Sequence, residues 1–446
     1  MNKQKTAIRR CLLLVCSSKP NHNAIVLAVR ALLRVFNGQP LETSLQRYRE
    51  SRHYPNVSFL CFQTLRHYFS LAERLRMLLN RNHTTLDREV WAVLLIGACQ
   101  LQFSSTPRAA CVNNLVESIK KLGKTSASSM INAVLRKYDN TTLIQENTSK
   151  YELPNWIIDR IQTEYPLHAV SILKNNTQHP PLTLRINVNE ISVQEYCALL
   201  KEQQIEFTKT VIPNAVNVLN PKRMQTLPGF KEDYFAVQDL SSQLAVPLLA
   251  SLPSDIILDA CAFPGVKTRQ IRDLYPQNQI ISVDIKTRCS TWNIRTNDNV
   301  LHEHTYIQAD LTNETEIDDM RFQRILLDAP CSGSGTLRRH PDIKLHCTME
   351  SVKENAELQG KLIRKLWKML EYGGSMIYTT CSIFHAENDE IIECFLMEHQ
   401  DITNEAITLP YGVSTKYGWQ TIPQKDGSDG FYFCKLRKIK KNNECM

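Results

Sequence analysis

The chain has 446 residues, 43% of them hydrophobic, and a formal net charge of +8. That length exceeds one ordinary core, so two or three domains are expected, and so modest a charge describes an ordinary solvated surface unless the basic residues cluster. Fourteen cysteines, dispersed and without a CxxC pair, exclude a small disulfide scaffold and leave a structural zinc site unsupported, so reduced thiols in the cytoplasm and no metal are expected.

Residues 1–20 read as a tail, because the apolar run CLLLVC (11–16) follows Arg9 and Arg10 but is shorter than a signal peptide requires. No apolar stretch approaches the roughly 18 residues that span a bilayer. Residues 21–140 have a helical pattern. Ile25, Val29, Leu32, Leu33 and Phe36 form one apolar stripe, and Val90, Val93, Leu94, Gly97 and Leu101 form another. Ser126 is the expected cap of a last helix through Met130, Ile131, Val134 and Leu135.

The polar run DNTTLIQENTSK (139–150) reads as a linker opening a small α+β segment, 141–229. That segment holds a helix around 156–165, a strand at 182–188, a helix at 193–203 and a strand at 216–219. From 230 to 438 strands and helices alternate, with strands at 256–259, 280–284, 305–308, 324–328 and 375–379 and a terminal pairing candidate at 430–435. This alternation predicts a doubly wound parallel sheet, making the chain α/β with an N-terminal all-α bundle. Residues 439–446 form a basic tail.

Chemistry concentrates at the strand ends of this last region. ILDA runs into CAFPGVKT, a tight strand-to-helix turn whose backbone N–H groups face whatever anion or carboxylate sits there. Asp284 ends the second strand, placed for ribose hydroxyls, and Asp310 ends the third, placed for an adenine amino group. One glycine in the loop is too few for a dinucleotide, and no phosphate loop occurs. A ligand with a ribose and a carboxylate but no phosphate points to S-adenosylmethionine. Asp328, Pro330 and Cys331 mark the fourth strand end, where a carboxyl can bond the edge of a flat heterocycle while sulfur reaches its face. Arg338, Arg339, His340 and Lys344 follow as a basic patch suited to phosphates. Cys381, in YTTCS, is a second thiol at a strand end.

LDACAFPGVKT, VDIKTR, the Asp-Ala-Pro-Cys-Ser-Gly run, YTTCS followed by Glu-Asn, and WQTIPQKDGSDGFYFCKL resemble successive motifs of the RNA cytosine-5 methyltransferase family that includes RsmB, also called Fmu or Sun. The first 140 residues, with SSMINAVLRKY, resemble the NusB-like RNA-binding domain of its bacterial 16S rRNA members. The resemblance implies a Rossmann-like methyltransferase domain in a monomer acting on 16S ribosomal RNA or a small-subunit precursor. It also implies S-adenosylmethionine held by Cys261, Ala262, Phe263, Pro264, Gly265, Val266 and Lys267 together with Asp284, Asp310 and Asp328. Cys381 would be the nucleophile, Asp328 would serve the N3 edge of the base and Cys331 would assist release. Two readings of the residues stand beside it: Cys331 as nucleophile, as the Pro-Cys cysteine is in DNA cytosine methyltransferases, and a non-catalytic RNA-binding assembly factor. The family usually reads Ala-Pro-Gly-Gly-Lys where this chain has Phe263, Pro264, Gly265, Val266 and Lys267. A positive φ required at Val266 would cost about 1 kcal/mol and weaken the cofactor loop.

Overall fold

The computed structural model describes residues 22–79, 85–219, 224–286, 304–425 and 427–440. The expected N-terminal tail and all but the first two residues of the expected basic tail lie outside them. Internal contacts divide the chain into two units, Met1–His179 with Leu337–His346, and Pro180–Thr336 with Cys347–Met446.

The first unit is helical: α1 (His22–Phe36), α2 (Leu41–Gln46), α3 (Tyr54–Arg66), α4 (Tyr68–Leu78), α5 (Arg88–Phe103), α6 (Arg108–Lys121), α7 (Ser128–Lys137), α8 (Asn147–Tyr151), α9 (Asn155–Glu164) and α10 (Ala169–Asn175). Helix α5 forms its axis, buried continuously from Val90 to Gln100. A helix apolar all round needs neighbours on every side, and α1, α3, α4, α6 and α7 supply them. Gly97 is required there, since a Cβ would stand 2.7 Å from Leu135 Cδ1. The α1 stripe holds, with Ile25, Val29 and Leu32 wholly buried and Leu33 and Phe36 packed at the margin. The Ser126 cap does not: Ser126 lies inside a 3₁₀ turn, Thr125–Ala127, and α7 starts at Ser128 without a side-chain cap. The turn already uses backbone bonds where a cap would act.

Segment Leu337–His346 completes this unit. Lys344 Nζ donates to the Arg66 carbonyl at 2.8 Å, Arg66 Nη2 donates to the Arg338 carbonyl at 2.8 Å, and the Leu41 amide donates to Asp342 Oδ2 at 3.0 Å. Arg338 and Lys344 are buried at 2% and 3% exposure, which corrects the phosphate contacts expected of these two, while Arg339 and His340 are half-buried. The Lys344 ammonium turns inward to a carbonyl at the end of α3, where the helix leaves it unpaired.

The second unit opens with β1 (Leu182–Ile186), α11 (Val193–Glu202), β2 (Phe207–Lys209), β3 (Ala215–Val218) and β4 (Phe235–Val237), forming an antiparallel sheet in the order β2-β3-β1-β4. Ser192 caps α11 in a reciprocal box with Glu195. The large sheet follows: β5 (Ile256–Ala260), α12 (Val266–Leu274), β6 (Gln279–Asp284), β7 (His304–Gln308), β8 (Phe322–Asp328), α13 (Met349–Met369), β9 (Leu370–Thr380), α14 (Asp389–Glu398), β10 (Ile402–Glu405), β11 (Val413–Ser414), β12 (Trp419–Gln420) and β13 (Tyr432–Lys438). Its order is β11-β12-β13-β9-β8-β5-β6-β7, with β10 also on β13. Strands β5 to β9 are parallel, while β13 runs antiparallel to β9. The order in which strands are added reverses at β5, with β6 and β7 on one side of it and β8 and β9 on the other. The crevice beyond the carboxyl end of such a strand is where open α/β sheets bind ligands. Among the described residues no helix is long and apolar enough to cross a membrane.

Candidate active site

The turn after β5 is built for close approach. Cys261 holds φ +60° and Gly265 holds φ +96°, and the Gly265 amide bonds the Ala262 carbonyl at 2.7 Å. Gly265 is the N-cap of α12 with no side-chain cap, which leaves first-turn N–H groups facing the crevice. Val266 is the first residue of the helix and has no positive φ. The left-handed position therefore falls on the glycine that is present, and the conformational penalty expected at Val266 does not arise.

Asp284 closes β6 at 8% exposure. Its Oδ2 accepts from the Phe263 amide at 2.9 Å and its Oδ1 from the Lys286 amide at 2.9 Å, which fixes the carboxylate at the crevice rim. The Lys286 ammonium lies 4.6 Å from the Phe263 ring centre. Ala262 is buried, Pro264 is exposed, and Cys261 is packed against the core with burial pushing its thiol up. Asp310 lies two residues beyond β7 and is exposed, its carboxylate engaged by Thr312 and Asn313 in a local turn. Asp259 on β5, which the motif reading passed over, is fully buried. Among the described residues its Oδ1 has no hydrogen-bond partner, and burial raises its carboxyl to about 7. One glycine with positive φ, an uncapped helix end, a carboxylate at the strand tip and an orphaned polar atom beneath suit a ligand with hydroxyls and an α-amino acid moiety.

Register places the thiols. Strands β8 and β9 are parallel neighbours with Asp328 opposite Thr379, and the Ala329 amide continues the ladder to the Thr379 carbonyl at 2.9 Å. The loops after both strands leave the same sheet edge, and Cys331 Sγ and Cys381 Sγ meet at 3.4 Å. Gly335 admits this approach: its amide bonds the Cys381 carbonyl at 2.9 Å, and a Cβ there would stand 1.9 Å from the Gly430 carbonyl oxygen. The hydrogen bond with Cys381, followed by burial, pushes the Cys331 thiol well above its ordinary range.

Lys267, on the first turn of α12, reaches Asp328 Oδ2 at 2.6 Å. Burial opposes its charge, but Asp328, Cys381 and Asp259 outweigh that and hold its pKa above the ordinary lysine value. Of the two basic candidates, Lys267 is coupled to Cys381, whereas Arg338 is enclosed in the helical unit.

Sequence reasoning missed Glu387. It ends the 3₁₀ turn His385–Glu387 and is completely buried. Its carboxylate accepts from the Ser332 amide at 2.7 Å and from the hydroxyls of Ser332 and Ser382 at 2.6 Å each. Those serines immediately follow the two cysteines. The available signal was the Glu-Asn pair after YTTCS, which carries no spatial information alone.

Comparison with known proteins fits this geometry. Residues 246–437 match the family model described as 16S rRNA methyltransferase RsmB/F. Residues 153–225 match the ferredoxin-like domain of RsmF/B-like proteins, and residues 22–140 match the NusB family. The ribosomal RNA small subunit methyltransferase B of Yersinia enterocolitica is 34% identical over 434 residues, 94% of this chain and 100% of the relative. That of Pseudomonas syringae pv. tomato is also 34% identical, over 94% of this chain and 97% of the relative. Among solved structures, that of PH0851 superposes with a TM-score of 0.80 at 21% identity, covering 94% of this chain and 99% of that one. NSun6 from Pyrococcus horikoshii with SFG gives 0.56 at 18% identity, over 65% and 99%. With its NusB-type helices, its ferredoxin-like segment and its methyltransferase sheet all matched in order, this chain belongs to the RsmB/F family of 16S rRNA methyltransferases.

Proposed function

We propose that this protein transfers a methyl group to C5 of a cytosine in 16S ribosomal RNA through a transient bond between Cys381 and C6 of the base. The observation that carries the reading is the pair of sulfurs 3.4 Å apart beside the Lys267–Asp328 pair. S-adenosylmethionine, the cofactor, supplies an electrophilic methyl group on a sulfonium, and the β5–α12 turn with Asp284 is the part of this chain suited to hold it.

C5 of cytosine is a poor nucleophile until a thiolate adds to C6 and makes C5 an enamine carbon. An ordinary thiol is only a few per cent ionised at neutral pH, and lowering its pKa by 1.5 units requires about 2 kcal/mol of differential stabilisation. Lys267, whose charge is coupled to Cys381, is the cation we assign to this part of the site. Asp328 hydrogen-bonds the N3–N4 edge of the base as charge develops on the ring. Cys331 then assists removal of the C5 proton and release. The alternative with Cys331 attacking uses the same pair of sulfurs, and replacing each cysteine in turn separates the two. The target base must be unstacked, which costs a few kcal/mol and least in a loop. The NusB-type helices and the small antiparallel sheet are the elements suited to hold RNA around it.

The test is RNA bearing 5-fluorocytosine, from which the C5 substituent does not leave. Wild type with cofactor forms a denaturation-resistant complex. A protein that binds cofactor and forms no such complex overturns the mechanism, and one that binds neither is the non-catalytic assembly factor instead.

A further inference from the structure

Glu387 joins the two cysteine loops, but not equally. On the Cys331 side Ser332 gives the carboxylate both its amide and its hydroxyl, and Gln359 Nε2 holds the neighbouring Pro330 carbonyl at 2.8 Å. On the Cys381 side Glu387 is one anchor of several. Asn388 Nδ2 donates to the Ser382 carbonyl at 3.0 Å, the Thr380 hydroxyl donates to Asn388 Oδ1 at 2.6 Å, and the Ser382 amide turns back on the Thr380 hydroxyl at 3.2 Å. Ser334 also lies 2.9 Å from the Ser382 hydroxyl. The tip of β9 is therefore held through Asn388, while Glu387 takes two of its serine bonds from Ser332, the residue after Cys331.

A wholly buried carboxylate is costly to maintain and persists where hydrogen bonds offset its desolvation. Burial does raise the Glu387 pKa, against the opposing bonds from Ser332 and Ser382. In the middle of a packed domain an apolar residue fills such space at lower cost. Asn355 also bonds the Glu387 carboxylate, and its three serine bonds go to the residues next to the thiols, which ties its placement to their spacing.

Resting on the covalent reading above, we infer that Glu387 is a positioning residue that sets Cys331 for release of the adduct, and that Asn388 does the corresponding work for attack by Cys381. Release breaks C5–H and C6–S. The C–H electron pair becomes the C5–C6 double bond, the C–S pair returns to Cys381 Sγ, and the proton passes to Cys331 once its own proton has left to water. A small displacement of the acceptor slows this step while leaving attack intact, because proton transfer and displacement demand near-contact geometry.

The experiment measures, for wild type, Glu387→Gln and Asn388→Ala, the steady-state fraction of denaturation-resistant complex on unmodified RNA, with kcat and KM. Glu387→Gln should raise that fraction about tenfold and lower kcat about tenfold, with KM for RNA and for cofactor within about twofold of wild type. Asn388→Ala should lower the fraction and kcat together. A merely structural role predicts otherwise: both variants lose attack and release by the same factor, or Glu387→Gln leaves the fraction unchanged, and either result overturns the assignment. If Glu387→Gln does not fold, Ser332→Ala, which removes only one of the bonds, is scored by the same criterion. Wild type on 5-fluorocytosine RNA is the control. No complex there overturns the covalent reading and this inference with it, whereas a complex there with unchanged partition in the variants overturns this inference alone.

Discussion

Cys331 and Cys381 stand 50 positions apart in the chain, yet their sulfurs lie within 3.4 Å of each other. Parallel pairing of β8 with β9 creates that distance by ending both strands at one sheet edge. Replacing each in turn has distinct outcomes. Cys381→Ala abolishes both adduct and turnover, while Cys331→Ala accumulates a covalent complex with ordinary RNA, visible as a shifted band after denaturation. The reverse pattern identifies Cys331 as the nucleophile.

Lys267 and Asp328 form a largely buried pair, with side chains 10% and 28% exposed. Removing one partner leaves the other charge enclosed, so Lys267→Met and Asp328→Asn should each cost more than half of what the double variant costs. A coupling of about 0.5–3 kcal/mol is expected from a double-mutant cycle by chemical denaturation. Additive losses would mean that the pair is not formed in solution.

Val266 departs from the family pattern, but the left-handed backbone belongs to Gly265. Val266→Gly should therefore lower stability by about 0.5–1 kcal/mol, by placing glycine in a helix, and leave cofactor affinity within about twofold. Gly265→Ala should cost about 1–2 kcal/mol and weaken cofactor binding by calorimetric titration. Restored affinity in Val266→Gly would contradict this.

Asp259 provides a pH signature. Burial lifts its carboxyl from 3.8 to about 7. A carboxyl whose folded pKa exceeds its unfolded value contributes stability that is complete below the unfolded pKa and lost as pH rises through the folded one. Melting curves of the cofactor-free protein should fall more steeply between about pH 4 and pH 8 for wild type than for Asp259→Asn. Equal slopes would show that Asp259 is ionised throughout.

Lys344 was read from sequence as a phosphate ligand and lies instead against the Arg66 carbonyl, with burial lowering its pKa to about 8. Lys344→Gln should cost stability, by about 1–3 kcal/mol, and leave the dependence of RNA affinity on salt unchanged. A slope reduced by about one would restore the phosphate contact.

What was legible in sequence follows a physical line. Strand ends were legible, because apolar runs terminating in Asp, Gly and Cys report their own topology, and Asp284, Asp328, Cys331 and Cys381 all sit where the alternation placed them. Ser126 was misassigned because capping depends on which backbone groups are already bonded. Arg338 and Lys344 were misread because a charge run looks alike whether it faces water or the protein interior. Glu387 was invisible because its serine donors come from two loops 50 residues apart, and only the folded sheet brings them to one carboxylate.

Ten residues of the stretch that follows Cys331 are structurally property of the helical unit. A cut at position 179 therefore does not yield two self-sufficient fragments: the N-terminal piece loses the lysine that plugs the end of α3, and the C-terminal piece carries buried cations with nothing to enclose them. Exchange of the NusB-type half between relatives, as a cassette, requires that this decapeptide travel with it.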